Sequence, residues 1–551
     1  MAGWAYADIW EAIADAVPRR RAQVQGPREL SWGQFDARAN GLARFFLDAG
    51  LTHQSKVAAF LYNGPEYLET YFAAFKAGLV PVNTNYRYGV EELVYLFDNA
   101  DAEVVVFHAA FAEVAAKARA RLPKVKAWIA VGQPDHPVPD WAEDYEAIAN
   151  SAVESAAGGR VIAPWGRSGD DILLMYTGGT TGMPKGVMWR QEDLFKVLGG
   201  GGNLIEALPP LETPAEAGER ARASEGKEGS VLRLVLAAAP LMHATAQFTA
   251  LSALTGAGSV ATLPSQRLNA VELWSEVERL GVTGVAIVGQ AFAQPMLQAL
   301  DANPGRWDLG KLRVINSSGT VWSQENKHGL LKHAPHIMLF DSLGSSEAVG
   351  IGGSNSTAGQ EAETAKFMLG PNTAVFSEDG RRIQPGSGER GLLALSGFMP
   401  VGYYKDPEKT AKTFREFEGR RWSLPGDFAT VEADGSLTLL GRGSQVVNTG
   451  GEKVFPEEVE EALKRHPAVQ DAVVVGVPDE RFGERVCAVV EVTPGQPAPT
   501  LDELSRHVRG LLADYKAPRE LVLAPVARSP NGKVDYKAAK ALALERLKIG
   551  A

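Results

Sequence analysis

One cysteine, Cys487, stands in 551 residues. A chain with a single thiol closes no internal disulfide and offers no cysteine set for zinc or an iron–sulfur cluster. It suits a reducing compartment. Long apolar runs are missing as well. No stretch approaches the roughly 18 uninterrupted apolar residues of a membrane span. The opening MAGWAYADIWEAIADAVPRRR carries acids where a signal sequence would be apolar. A basic excess is also lacking, since the formal net charge is −10. Binding of a phosphate backbone needs a basic surface, so no nucleic-acid partner is expected. A polyanionic small molecule would have to be met by local groups. What remains is ordinary globular composition, 45% hydrophobic and 22% charged, over a length that implies more than one domain. The expected setting is the cytoplasm, and a homodimer is left open.

Strand and helix signals alternate from the start. Ser31–Gln34 (SWGQ) is a capping box, followed by Phe35, Ala39, Leu42 and Phe46 at helical spacing. Val57–Leu61, the VPVN segment and Ala102–Phe107 read as strands, with a helix from about Pro65 to Gly78 between the first two. Leu232–Ala237, Ser259–Leu263, Val282–Val288 and Leu312–Asn316 continue the pattern after residue 170. This alternation predicts an α/β fold with mainly parallel sheets. Glu212–Gly229 has no strong apolar face and is expected to be a solvent-exposed loop or a frayed helix. From about residue 390 shorter strands take over, with a hairpin signal at Asp434–Gly435. After Arg442 comes a compact α+β stretch: a helix at Pro456–Arg465, strands near Ala472–Val477 and Val486–Val492, a helix at Leu501–Leu512, then a tail. From Tyr515 onward the tail holds eight lysines and arginines against three acids.

The strongest chemical signal is Tyr176–Val187, YTGGTTGMPKGV, entered from the apolar run DILLMY. Gly178, Gly179 and Gly182 let backbone N–H groups approach an anion. Thr177, Thr180 and Thr181 add hydroxyls, and Lys185 adds charge. Such a loop suits a polyphosphate. It is not a Walker A loop, because Lys185 follows Pro184 and precedes Gly186 instead of a Ser or Thr. His328, His333 and His336 cluster without a second ligand pair and are not expected to bind a metal.

YTGGTTGMPKGV resembles the phosphate loop of the adenylate-forming superfamily, which includes acyl-CoA synthetases, luciferases and peptide-synthetase adenylation domains. Further pieces follow in that family's order. Asp341–Glu347 (DSLGSSE) resembles the adenine and magnesium motif, and Leu424–Asp427 (LPGD) the ribose motif. Gly441–Arg442 lies at the domain boundary, Gly450–Glu458 (GGEKVFPEE) opens the small domain, and Pro530–Lys533 (PNGK) resembles the C-terminal lysine motif. The resemblance spans the chain. It implies an N-terminal adenylation domain at 1–442, with a small β-barrel-like part, and a mobile C-terminal domain at 443–551.

It further implies ATP, magnesium and coenzyme A as the small molecules handled. Nucleotide contacts are expected from Thr177 to Gly182 and from Lys185, Ser318, Gly319, Asp341, Ser342, Ser346, Asp427, Arg442 and Lys533. Glu347 would serve the metal, a hard cation that prefers carboxylate oxygen. Asp427 would accept the ribose hydroxyls, with Arg442 as a fork donor. Lys533 would neutralise charge in the adenylation transition state, and Thr181, Glu347 and His243 complete the catalytic set. Gly450, Gly451 and Glu452 would flank coenzyme A. Gln445 stands where many relatives carry a hinge Asp or Lys, and Gly178 where many have serine.

The implied activity is AMP-forming acyl-CoA synthesis. YTGGTTGMPKGVMWRQEDLF, VGYYKDPEKTAKTF and GRGSQVVNTGGEKVFPEEVEEALKRHP look most like actinobacterial-type synthetases for steroid side-chain or other polycyclic acids. The acyl wall expected from this resemblance is Met242, His243, Val288, Gly289, Gly344 and Val349, with the two glycines leaving width for a broad ligand. The alternatives are a medium- or long-chain fatty-acid ligase and a stand-alone enzyme that loads a carrier protein. No acid near His243 offers the ammonium partner that an amino-acid-loading enzyme needs.

Overall fold

The computed structural model describes residues 3–152, 159–177, 183–203, 207–225, 233–319, 322–360, 366–442, 445–449, 452–479, 483–512, 514–528 and 533–549. Two large sheets form the N-terminal part. In the first, the strands Val80–Asn83, Lys56–Phe60, Ala102–His108 and Ala127–Val131 run parallel beside Ile172–Thr177. Ile172–Thr177 then turns back antiparallel into Lys185–Arg190, on whose free edge Gly402–Tyr403 adds. The second sheet runs parallel through Arg21–Gln25, Ser259–Thr262, Leu234–Ala237, Gly284–Ile287, Val314–Ser318 and Met338–Ser345. Its central strands Ser259–Thr262, Leu234–Ala237 and Gly284–Ile287 are buried at every residue, as both faces of a parallel sheet are covered.

The helix Trp32–Asp48 begins at Ser31 with both halves of the expected capping box in place. It packs with Tyr6–Ala16 and Pro65–Lys76 over an aromatic core of Tyr6, Trp10, Phe35, Phe72 and Phe75. Charges are buried under these helices only as networks. Arg38 forks onto Glu69 at 2.8 and 3.1 Å and reaches Glu146 at 2.8 Å. Lys76 lies between Glu11 at 2.6 Å and Asp36 at 2.7 Å. Partners on all sides are what make such burial tolerable.

The expected barrel-like part is an antiparallel continuation of the second sheet. Ala348–Ser356, Lys366–Leu369, Ser436–Arg442, Asp427–Val431 and Arg390–Leu395 follow one another, with their own core of Ile351, Phe367, Val375, Leu393 and Leu437. Gly435 turns the Asp434–Gly435 hairpin at φ +81°. The small C-terminal sheet begins at Val447–Thr449, and Val469–Asp479 and Gly483–Val492 form its long hairpin.

Within Glu212–Gly229, expected as a loop or a frayed helix, Pro214–Ala223 is a helix capped by Thr213 and packed on Tyr6–Ala16, and Gly226–Gly229 lie outside the described residues. Its buried face is Ala217, Gly218 and Ala221, and a β-carbon on Gly218 would stand 2.7 Å from the Ala12 carbonyl oxygen. A face of Ala and Gly gives almost no hydropathy signal. The basic stretch after Tyr515 carries regular structure. Glu520–Leu523 pairs parallel with Gly483–Val492, and the helix Tyr536–Arg546 buries Ala539 and Ala543 against the sheet. No helix among the described residues is long and apolar enough to cross a membrane.

Candidate active site

The phosphate loop is a hairpin connection. Thr177 and Lys185 face each other as cross-strand partners at its base. Gly178, Gly179, Thr180, Thr181 and Gly182 lie outside the described residues. The base is rigid. Tyr176 is buried and its hydroxyl donates to Asn99 Oδ1 at 2.7 Å. Asn83 Nδ2 donates to the Tyr176 carbonyl at 2.9 Å and to the Met242 carbonyl at 2.7 Å. Asn83 thereby links the phosphate-loop strand to the expected acyl wall. Lys185 is ion-paired with Asp406.

Across the cleft, Val314–Ser318 ends at Ser318, and Gly319 follows at φ +91°. That backbone is open to glycine and costly for other residues. Asp341 and Ser342 sit on the neighbouring strand. Asp341 is buried against Lys327 Nζ at 3.3 Å. Burial pushes its carboxyl up to about 6, with Lys327 pulling the other way and Glu461 of the small domain adding to the rise. Ser345 pairs with Ala348, so Ser346 and Glu347 form a two-residue turn at the hairpin tip. Asp427 and Arg442 are direct cross-strand partners, which brings the two expected ribose residues side by side.

The small domain meets the large one beside these strands. Lys533 is exposed, yet its Cε lies 3.5 Å from where a β-carbon on Gly319 would stand. His243, the N-cap of the helix Ala244–Thr255, is near enough to feel the Lys533 charge. Burial first, then Lys533 and Arg87, pull its imidazole down to about 3, so it is neutral. His243 Nε2 is enclosed and has no hydrogen-bond partner among the described residues. Phe428 of the large domain meets Phe455 of the small one at 5.7 Å between ring centroids.

The family model for AMP-binding enzymes matches residues 10–404, and that for the AMP-binding enzyme C-terminal domain matches 458–533. The chain belongs to the AMP-binding enzyme family. It is 40% identical over 550 residues, 98% of this chain and 96% of the other, to a medium/long-chain-fatty-acid–CoA/3-oxocholest-4-en-26-oate–CoA ligase of Mycolicibacterium smegmatis. It is 41% identical to a 3-oxocholest-4-en-26-oate–CoA ligase of Rhodococcus rhodochrous, over 97% of this chain and 95% of the other. Its fold matches the crystal structure of the anthranilate CoA ligase AuaEII with anthranoyl-AMP at TM-score 0.82 and 20% identity, covering 100% of this chain and 99% of that one.

Within this AMP-binding enzyme the two glycines of the expected acyl wall have backbone reasons of their own. Gly344 precedes the hairpin tip, and a β-carbon there would press on the Ala348 carbonyl oxygen at 3.0 Å. Gly289 opens the helix Gly289–Ala302 at φ +47°, and its N–H donates to Ser317 Oγ at 2.9 Å. Both glycines answer to backbone geometry, so their missing side chains are no measure of pocket width. Met242 and Val288 are buried, and Val349 packs half-buried against the main core. Gln445 stands between the strand ending at Arg442 and the one starting at Val447. Glu452 opens the strand Glu452–Val454, while Gly450 and Gly451 lie outside the described residues. His333 pairs with Asp301 at 2.7 Å, and His336 meets the Leu309 carbonyl at 3.1 Å.

Several site residues escaped the sequence reading. Asn83 sits in VPVN, which reads only as a strand. Lys327 sits in a helix whose composition looks exposed, although the lysine is buried. Tyr403 and Asp406 lie in VGYYKDPEKT, whose likeness to the family carried no chemical role by itself.

Proposed function

We propose that this enzyme is an ATP-dependent acyl-CoA ligase acting on steroid side-chain acids of the 3-oxocholest-4-en-26-oate type and on medium- or long-chain fatty acids. The observation that carries it is full-length identity near 40% to ligases named for those acids. In the first half-reaction a substrate carboxylate oxygen attacks the α-phosphorus of ATP. The bond to the bridging oxygen breaks, pyrophosphate leaves and an acyl-adenylate forms. In the second, the thiolate of coenzyme A attacks the acyl carbonyl and AMP leaves.

The residues divide this work. The loop Thr177–Gly182 offers N–H and hydroxyl donors to the phosphates. Asp427 and Arg442 hold the ribose, and Asp341, Ser342 and Ser346 border the base. Lys533 reaches the cleft from the small domain and neutralises charge as the α-phosphate is attacked. Neutral His243 lines the acyl site as a hydrogen-bonding group without charge.

Magnesium suits the residues present. Among the described residues no cluster of three titratable side chains could hold a metal alone, and Glu347 offers one anchored carboxylate. A single carboxylate plus substrate phosphates is the usual setting for Mg²⁺. The ion would neutralise phosphate charge when bound. Coenzyme A is expected beside Gly450–Glu452, with rotation of the 443–551 domain about Gln445 between half-reactions.

The test is a panel of carboxylic acids assayed for acid-dependent pyrophosphate release and CoA-dependent AMP release. A sterol side-chain acid and palmitate should both support both steps. Pyrophosphate release without any CoA-dependent step would turn the reading toward a carrier-loading enzyme.

A further inference from the structure

Three hydrogen bonds from three different strands clamp the turn Ser346–Glu347. Trp189 Nε1 donates to the Ser346 carbonyl at 2.9 Å. Ser423 Oγ donates to the Glu347 carbonyl at 2.7 Å. Tyr403 Oη donates to Glu347 Oε1 at 2.8 Å. The first two fix the backbone, and the third reaches the carboxylate itself.

Tyr403 is well placed for this. Its strand, Gly402–Tyr403, pairs with Lys185–Arg190 in the register Gly402↔Met188 and Tyr403↔Val187. Tyr404 N donates to the Gly186 carbonyl at 2.8 Å. Three residues beyond Tyr403, Asp406 is ion-paired with Lys185. The same Asp406 accepts from Lys409 N at 2.9 Å and so caps the helix Pro407–Thr413. That helix returns Thr410 Oγ1 to accept from Tyr403 N at 2.9 Å. One short segment therefore holds the strand leaving the phosphate loop, its lysine, and the carboxylate across from it.

We propose that Tyr403 is a positioning residue for adenylation, which holds the Glu347 carboxylate in register with the phosphate loop while Asp406 fixes Lys185 in the same frame. This rests on the reading of Glu347 as the group that serves the magnesium–nucleotide complex. A carboxylate on a flexible side chain has rotamers to lose when it binds. The tyrosine hydroxyl occupies Oε1 and selects one rotamer before the nucleotide arrives, leaving Oε2 for a cation. Hydrogen bonds to an ionised acceptor are strong enough to hold such a choice, and partners that orient a ligand typically matter 10–100-fold for metal affinity. Tyr403 is buried with its ring 6.1 Å from that of Phe414, so Tyr403→Phe removes the hydroxyl and keeps the packing.

The experiment uses the full chain with Tyr403→Phe, Glu347→Gln and the double variant. Calorimetry measures binding of a non-hydrolysable ATP analogue with and without magnesium, and the two half-reactions are assayed separately. Tyr403→Phe should raise the Kd for the magnesium complex by roughly ten-fold or more and leave metal-free binding unchanged. Adenylate formation should fall, while a supplied acyl-adenylate plus CoA should give thioester at the normal rate. In the Glu347→Gln background Tyr403→Phe should add no more than about two-fold, because a residue acting through another loses its effect when that other is gone. If Glu347→Gln leaves magnesium-dependent binding unchanged, the assignment of Glu347 fails and the proposal with it. If Glu347→Gln weakens binding but Tyr403→Phe is silent, or costs the same in both backgrounds, the proposal alone is overturned.

Discussion

The ε-carbon of Lys533 lies 3.5 Å from the position of a β-carbon on Gly319. This contact joins the last loop of the small domain to the end of a core strand of the large one. It puts a flexible cation where Val288 and Thr245 also converge on Gly319, with neutral His243 close by. The arrangement suits the first half-reaction, in which negative charge gathers on the α-phosphate.

Lys533→Ala should therefore slow adenylate formation by roughly 10²–10³-fold, the scale for losing one donor aimed at developing negative charge. Conversion of a supplied acyl-adenylate with CoA should stay near normal. The side chain is exposed, so the fold should tolerate the change within about 0.5 kcal/mol. Equal loss in both half-reactions would make Lys533 structural.

Gly441 marks the boundary at φ +110°, with the Glu457 carboxylate of the small domain directly over it. A methyl group there meets both a backbone that disfavours L residues, at about 1–2 kcal/mol, and the neighbouring carboxylate. Gly441→Ala should penalise the closed orientation and slow adenylation more than thioester formation. Loss by one common factor in the two assays would separate Gly441 from domain orientation.

Arg38 tests the buried network under the N-terminal helices. Glu69 is fully buried, and its carboxyl is raised by that burial against the pull of Arg38. Arg38→Met leaves this acid without its cation and should cost about 3–5 kcal/mol in urea unfolding. The double variant Arg38→Met/Glu69→Leu should recover much of the loss, because the fully buried acid goes with its cation and Glu146, half exposed, keeps Arg28 at 3.1 Å. A double variant as unstable as the single one would mean that packing, not charge, sets the cost.

The motifs and the strand–helix alternation were legible in the sequence because they rest on local patterns. Cross-strand proximity of Asp427 and Arg442 was not, although both were named, since fifteen residues separate them and register depends on the hairpin at Gly435. The choice between loop and helix at Pro214–Ala223 was not legible because Ala217, Gly218 and Ala221 pack without hydrophobic contrast. The backbone demands on Gly344 and Gly289 were not legible either. At Gly344, a glycine that makes room for a carbonyl and one that makes room for a ligand look the same in one dimension. Tyr403 was invisible because its meaning lies in Glu347, 56 residues away.

The carboxyl of Asp341 is pushed up to about 6 by burial despite Lys327 at 3.3 Å. In the unfolded chain an aspartate titrates near 3.9. The folded state thus holds its proton more tightly. That preference adds stability fully below about pH 4 and loses it as pH rises through about 6. Between pH 5 and 7 this one group should remove roughly 1–1.5 kcal/mol of unfolding free energy. Asp341→Asn cannot titrate, so the difference in stability between the native enzyme and the variant should shift in favour of the variant by that amount over the same interval. Urea unfolding of both proteins at pH 5, 6 and 7 measures the difference. A difference that stays constant across the three points would mean that Asp341 is already ionised at pH 5, held there by Lys327. In that case the buried pair, and not the buried acid, governs the electrostatics beneath the nucleotide cleft.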